Sequence, residues 1–289
     1  MHRAEIALEL FFQKAIAGET TMTEEVADKV ASDVKAALFK QFSSGPRDAF
    51  RLRMSNIGKP KCQLWFEKND PSDKIPLPSN FMLNMMIGDI TEAVFKGVLR
   101  AAKVDFQDND VVSLDLGELG KIKGEYDMIL DDKVDDVKSA SPFSYDFKFE
   151  SLSSLQKGDS FGYINQLVGY AKAAGKEVGG WWVINKATGH HKYVSAADLD
   201  TDAVMENITD TVEYITNDKP FERCFKPIPE YFNRKATGNT KLNTECGYCG
   251  FKKKCWPELQ QLENRSSAAK IKPIVDYIHI GDDNDYYYQ

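Results

Sequence analysis

The sequence predicts an α/β fold in which helices flank a mixed β-sheet. Three observations lead there. The element order over residues 80–185 reads helix, three strands, helix, strand, which is the pattern of a sheet covered by helices. The apolar residues repeat at helical spacing before residue 104 and partly alternate between 111 and 138, the period of a pleated strand. A hydrophobic content of 42% over 289 residues is enough for an ordinary globular core.

Residues 5–16 are apolar-rich and helical. Thr21-Met22-Thr23-Glu24 forms a capping box before Val26, Val30, Val34 and Leu38, which recur every four residues, so residues 1–50 read as a helical cap. Residues 51–79 are mixed and proline-containing, and residues 80–103 form a helix whose expected buried stripe is Ile87, Ile90, Val94 and Val98. Strands are expected at 111–116, 120–130 and 133–138, a helix at 160–174, an apolar strand at 180–185 and a helix at 196–217. Residues 220–263 are irregular and cysteine-rich, and the acidic, aromatic ending Gly281-Asp282-Asp283-Asn284-Asp285-Tyr286-Tyr287-Tyr288-Gln289 reads as a tail. The expected organisation is an N-terminal helical region (1–79), a core (80–219), a cysteine segment (220–263) and a tail (264–289).

No stretch reaches 18 uninterrupted apolar residues, so no membrane span or membrane partner is expected. The net charge of -7 argues against a protein that coats nucleic acid non-specifically, although a local basic groove is compatible with it. Five cysteines without an export signal favour metal ligation or free thiols in a reducing cytoplasm.

The densest chemistry lies between Gly124 and Lys138. Along residues 121–130 the pleat puts Ile122, Tyr126, Met128 and Leu130 on one face and Lys121, Lys123, Glu125 and Asp127 on the other. Asp131, Asp132 and Lys133 supply turn residues. On the returning strand Asp136 and Lys138 share a face, with Val137 opposite. A hairpin here brings Asp127, Asp136 and Lys138 together. Carboxylates that close repel unless a cation joins them, and hard oxygen donors suit Mg²⁺ or Mn²⁺. Such centres hydrolyse phosphodiesters with one metal or two, roughly 3.5–4 Å apart in the two-metal case. The competing reading of the hairpin alone is a solvated acidic turn. On the next helix Tyr163, Gln166 and Tyr170 fall at i, i+3 and i+7 and form a polar, aromatic stripe beside Ile164, Leu167 and Ala171.

This arrangement resembles the PD-(D/E)xK nuclease superfamily, in its RecB-like branch. The resemblance rests on Gly124-x-x-Asp127, on Asp136-Val137-Lys138 as the (D/E)xK element, and on Gln166-x-x-x-Tyr170. Gly88-Asp89-Ile90-Thr91-Glu92 is similar to the branch's first helical motif, with Glu92 where His is commoner. The resemblance implies a restriction-endonuclease-like core and a metal-dependent DNA exonuclease serving recombination, repair or phage genome processing. Asp127, Asp136, Lys138, Gln166 and Tyr170 would be catalytic, with Glu92, Asp127, Asp136 and the Val137 carbonyl toward the metal.

Cys246-x2-Cys249-x5-Cys255 offers three soft ligands to one centre. Cys62, in Ser55-Asn56-Ile57-Gly58-Lys59-Pro60-Lys61-Cys62, is similar to the N-terminal cysteine segment of RecB-like nucleases that hold an iron-sulfur cluster, AddB and the CRISPR-associated adaptation exonucleases among them. That likeness implies a [4Fe-4S] cluster on Cys62, Cys246, Cys249 and Cys255; a zinc site fits the same residue types. Cys224 is the spare thiol, unless it replaces Cys62 as ligand.

Arg51, Arg53, Lys59 and Lys61 precede Cys62, and Lys252, Lys253 and Lys254 lie inside the cysteine loop, so closing the cluster would merge two basic patches able to hold DNA phosphates. Tyr163 and Lys186 are further candidate DNA contacts. Trp181 and Trp182 read as core, and His190 and His191 as structural or surface. Gly117-Glu118-Leu119-Gly120-Lys121 lacks the spacing of a nucleotide-binding loop, so any ATP-driven unwinding would come from a partner such as a helicase. A recombinase or a single-strand-binding protein is also an expected partner, and the bacterial or archaeal cytoplasm, including that of a phage host, the expected location. The rival function is a non-catalytic DNA-binding or assembly subunit.

Overall fold

The computed structural model describes residues 2–42, 50–76, 78–264 and 267–281. In chain order its elements are α1 (Arg3–Ile16), α2 (Glu24–Phe42), α3 (Lys61–Asn69), α4 (Asn80–Ala101), β1 (Asp110–Asp115), β2 (Lys121–Tyr126), β3 (Met128–Leu130), β4 (Lys133–Ala140), a π-helical turn (Ser144–Lys148), α5 (Leu152–Gln156), α6 (Tyr163–Ala174), β5 (Glu177–Asn185), β6 (His191–Ser195), α7 (Thr201–Thr216), β7 (Ile228–Phe232), β8 (Lys235–Lys241), α8 (Lys252–Cys255), β9 (Gln260–Glu263) and β10 (Ile274–His279). They divide into two units, one of Met1–Gly58 with Pro78–Glu213 and one of Lys59–Leu77 with Tyr214–Gln289. Among the described residues no helix is long and apolar enough to cross a membrane.

The first unit is built on the expected mixed sheet, in the order β3-β4-β5-β6. β3 and β6 run antiparallel to their neighbours, while β4 and β5 are parallel. Each face of the sheet has its own apolar cluster. Val134, Ala140, Trp181 and Val183 pack with Ile164, Leu167 and Tyr170 of α6. Val137 and Trp182 pack with Ala4 and Leu8 of α1 and Phe95 and Leu99 of α4. Trp181 and Trp182, adjacent in sequence and fully buried, serve opposite layers because successive strand residues point to opposite faces.

Three expectations for the first unit are corrected. The strand expected over residues 120–130 breaks at Asp127: β2 pairs with β1 in a separate ribbon, and β3 pairs with β4. Tyr126 therefore joins the first cluster while Met128 and Leu130 join the second, so the four apolar residues do not share one face. On α4, Ile87 and Val94 are exposed, and the buried set is Ala93, Phe95, Lys96, Gly97 and Leu99. Gly97 faces α2, where an added Cβ would lie 2.1 Å from Val30, so this glycine sets how closely the two helices approach. The cap of α2 is Thr23, whose hydroxyl accepts from Val26 N at 3.4 Å, two residues later than the expected box. A capping box does occur on α1, where the His2 ring accepts from Ala4 N and the Glu5 carboxylate from His2 N.

The β3–β4 hairpin turns on Asp131 and Asp132, both at positive φ (54° and 63°), the geometry that matches a two-residue turn to strand twist. A second tight feature is the approach of Gly58 to Gly162. A Cβ on Gly162 would fall 2.3 Å from Gly58 Cα, and Gly162 has φ 75° at the start of α6.

In the second unit the segment read as irregular, together with part of the expected tail, forms a four-stranded sheet in the order β7-β8-β10-β9. Its buried Glu230 is held by Thr237, Asn239 and Tyr277, the tyrosine hydroxyl donating at 2.8 Å. Thr237 and Asn239 come from the neighbouring β8, and Tyr277 from β10, 47 residues away. Phe66 of α3 stacks on Phe251 with centroids 5.4 Å apart. Of the acidic, aromatic ending, residues 282–289 lie outside the described residues.

Gly162→Ala combines left-handed strain with a backbone collision, each costing about 1–3 kcal/mol. Gly175→Ala has the same left-handed geometry (φ 64°) and open space around it, so it isolates the strain. Urea unfolding should show Gly162→Ala as the more destabilised of the two; equal midpoints would mean the glycine contact does not constrain the fold.

Candidate active site

Asp127 sits in the bend between β2 and β3, and its Oδ2 accepts the Val137 amide at 2.7 Å. The break in the strand thus aims this carboxylate at β4. Asp136 and Lys138 alternate along β4 as expected, and Lys138 Nζ lies 2.8 Å from Asp136 Oδ1 and 2.6 Å from Oδ2. The second approach is an ion pair without hydrogen-bond geometry, so among the described residues the buried Asp136 Oδ2 has no hydrogen bond. Glu92 reaches the same place from α4, its Oε1 2.6 Å from Lys96 Nζ. Val137 contributes its amide to Asp127, while its side chain belongs to the second apolar cluster.

Removing charge from water disfavours ionisation, and neighbouring like charge adds to that. Burial and then Asp127 raise the Glu92 pKa. Burial and then the Asp136 charge push Asp127 up to about 6, against the pull of Lys138. Asp136 is raised mainly by burial. For Lys138 burial favours the neutral amine, but Asp136 and Asp127 outweigh it and hold the ammonium above its ordinary pKa.

Gln166 Nε2 donates to the Tyr170 hydroxyl at 3.2 Å, one helical turn along α6. Tyr170 is buried among Met54 and the strands, where burial raises its pKa to about 12, while Tyr163 and Gln166 are half-buried. Gly124 has a steric role here, because a Cβ on it would meet Tyr170 Cε1 at 2.7 Å. Lys138 Nζ also stands 5.0 Å over the Tyr163 ring. Glu92, Asp127 and Tyr170 open onto a cleft of about 950 Å³ that is also lined by Arg51, Arg53, Lys40 and Lys123. Lys186 lies apart from this group and donates to Asn84 at 2.9 Å.

The sequence reading passed over Asp135. It lies on the opposite face of β4 from Asp136, where it accepts from Gly180 N at 2.8 Å, Tyr193 OH at 2.9 Å and Trp182 Nε1 at 3.1 Å. Burial outweighs these bonds and pushes its pKa up to about 7. The available signal was an acid whose parity places it with Val137 on an apolar face.

The five cysteines all fall in the second unit and none forms a disulfide. Burial and the Cys249 and Cys255 charges push Cys246 up to about 12, and Cys249 is raised by burial. Cys224 is not remote from Cys62: its sulfur accepts the Cys62 amide at the start of α3 at 3.1 Å, and hydrogen bonding from Cys62 brings its pKa down to about 7. The lysines expected to form one basic rim are largely matched with acids, Lys59 with Glu67 (3.0 Å), Lys252 with Asp276 (2.6 Å) and Lys254 with Asp73 (2.8 Å). Lys61 lies 5.9 Å over the Tyr214 ring, and Lys253 is exposed.

Among the described residues no group of three or more His, Cys, Asp and Glu side chains is drawn into a coordination shell. In the first unit Lys138 supplies the neutralising charge instead. The donor types nevertheless fit: hard carboxylate oxygens with one buried oxygen lacking a hydrogen bond suit a divalent cation, and unpaired thiols suit a soft metal centre.

No protein-family model matches the chain, and no curated protein matches it. Among solved structures it is similar to SSO0001, with 16% identity, 76% of this chain and 92% of that chain covered, and a TM-score of 0.42.

The raised carboxyl of Asp127 sets a direction for pH. Its folded pKa of about 6 exceeds the unfolded value of 3.8, so the folded protein holds more protons in that window and loses stability as pH rises through it. Asp127→Asn should flatten this fall between pH 4 and 6 in urea titrations of metal-free protein, and a divalent cation should stabilise wild type more than the variant at pH 7. An unchanged pH slope in Asp127→Asn would remove Asp127 as its source.

Proposed function

We propose that this chain is a Mg²⁺- or Mn²⁺-dependent deoxyribonuclease that removes nucleotides from DNA ends. The observation behind this reading is the convergence of Glu92, Asp127, Asp136 and Lys138 from α4, the β2–β3 bend and β4. Two of these carboxylates open onto a cleft that Arg51 and Arg53 also line. The resemblance to RecB-like nucleases in these same residues supports it.

Asp127, Asp136 and Glu92 would hold the divalent cation, with the Val137 carbonyl as a further oxygen. When bound, the cation supplies charge neutralisation and activation of the attacking water. Arg51 and Arg53 would bind the flanking phosphates without reading bases. Lys138 is held as an ammonium by its carboxylate neighbours, so it would stabilise charge on the phosphoryl oxygens and not accept a proton. Gln166 would hold the Tyr170 hydroxyl in place beside the cleft. Cys62, Cys246, Cys249 and Cys255 would hold the [4Fe-4S] cluster, or zinc, as a structural clasp within the second unit.

The engagement of Glu92 by Lys96 favours a second reading, a DNA-binding or assembly subunit without catalysis. An assay on single- and double-stranded DNA with Mg²⁺ and Mn²⁺ separates the two. Wild type should cleave and EDTA should stop it, and Asp136→Ala and Lys138→Ala should each lose about 100-fold or more. An inert wild type under every condition rejects the enzyme. In binding titrations without metal, Arg51→Ala/Arg53→Ala should weaken affinity and reduce the salt slope by about 2; a wild-type slope would place the phosphates elsewhere.

The thiol site has its own measurement. Anaerobically purified protein should contain iron with a broad visible absorption, and Cys62→Ser should lose it while Cys224→Ser keeps it. Zinc in place of iron selects the other metal, and loss of metal only in Cys224→Ser exchanges the roles of the two cysteines.

A further inference from the structure

Lysine is seldom buried, because its ammonium gives up water, yet Lys96 of α4 is 3% exposed. Its Nζ stands between two carboxylates, Glu92 Oε1 at 2.6 Å and Asp108 Oδ1 at 3.6 Å. Glu92, Lys96 and Arg100 recur every four residues and so share one stripe of the helix. Asp108 lies between α4 and β1 and is fixed from two other directions. Arg100 bonds its Oδ2, and Lys29 of α2 lies 3.5 Å from the same oxygen. Arg100 is in turn seated over the Phe106 ring at 5.0 Å.

The two sides of Lys96 are not equivalent. Its contact with Glu92 is a formed hydrogen bond. On the other side Asp108 Oδ1 is buried and, among the described residues, has no hydrogen bond, because Lys96 Nζ stops short of bonding distance. A buried acceptor left in this state favours any donor that reaches it. Burial works against ionisation of Asp108, but Arg100, Lys96 and Lys29 outweigh it and hold the carboxyl below its ordinary pKa, so this second seat is an anion. An ammonium on a flexible four-carbon stem can change seats, whereas the guanidinium of Arg100 is planar and already engaged. A divalent cation drawn to Glu92 would meet the Lys96 charge at contact distance, where like charges repel strongly away from water.

We propose that Lys96 is an exchangeable counter-ion of the candidate metal centre: it neutralises Glu92 while no metal is bound and passes to Asp108 when Glu92 turns to a divalent cation. Lys96 and Asp108 are then positioning residues that set how readily the centre takes its metal. This rests on the assignment of Glu92 to the metal in the nuclease reading, and it makes the Glu92–Lys96 pair the resting state of a metal site.

Mn²⁺ titrated into the full chain near neutral pH, with the free ion read by electron paramagnetic resonance, measures the exchange without any need for cleavage. Lys96→Met should bind Mn²⁺ about tenfold more tightly, since the competing charge is gone, and damage to the fold would not tighten binding. Asp108→Asn should bind about tenfold more weakly, since the ammonium loses its charged second seat. In the Lys96→Met background Asp108→Asn should change the affinity by less than about twofold, because no ammonium remains to be received. Unchanged or weaker binding in Lys96→Met, or additive effects in the double variant, overturns the exchange. Should Lys96→Met fail to fold, Asp108→Asn decides alone, and wild-type affinity in it overturns the exchange. Wild type that binds Mn²⁺ and cleaves DNA while these variants bind as it does rejects the exchange alone; wild type that binds no Mn²⁺ rejects the metal assignment and the exchange with it.

Discussion

Charge confined away from water has to be answered within the protein, and the first unit is arranged around one such answer. The charges of Asp127 and Asp136 repel each other, and that repulsion is met by the Lys138 ammonium and the Val137 amide. Leaving a buried ion without its partner costs about 3–5 kcal/mol, so these groups form a unit in which each is needed. The same strand shows the contrasting solution. Asp135, one residue away on the other face, has no cation at bonding distance among the described residues and is answered by three neutral donors from β5 and β6. A carboxyl satisfied in that way is closed to ligands, whereas Asp136 keeps one oxygen without a hydrogen bond beside an ammonium. That difference makes Asp136, and not Asp135, the carboxylate that the proposed function assigns to the metal.

Backbone shape delivers the side chains to this place. Breaking the second strand at Asp127 turns the chain from the β1–β2 ribbon into the main sheet and frees the carboxylate from the pleat. Gly124 lets the Tyr170 ring approach closely, and the Gly58–Gly162 contact fixes the start of α6, which presents Tyr163, Gln166 and Tyr170. Close packing without side chains at these glycines trades local stability for position. These side chains are therefore positioned by packing within the first unit.

The second unit follows a different logic. Its sheet is small and one of its strands, β9, is exposed throughout, while the Glu230 network is buried beneath β7, β8 and β10 side chains. Pairing of Lys59, Lys252 and Lys254 with acids narrows the basic surface expected there.

Much of the site could be read from the chain, because it depends on periods that covalent geometry enforces. Asp136 and Lys138 share a face since strand residues alternate, Gln166 meets Tyr170 since helix residues four apart are neighbours, and Asp131-Asp132 turns since both tolerate positive φ. The mixed sheet followed from the order of elements. What the chain by itself did not determine is which faces meet. The break at Asp127, the rotation of the α4 stripe onto Phe95 and Leu99, the burial of Asp135, the seat of Cys224 against Cys62 and the second sheet all arise from contacts between segments far apart in sequence. Periodicity places a side chain on a face of its own element; only packing against a distant partner decides whether that face is core, cleft or solvent, because burial is a property of two surfaces together.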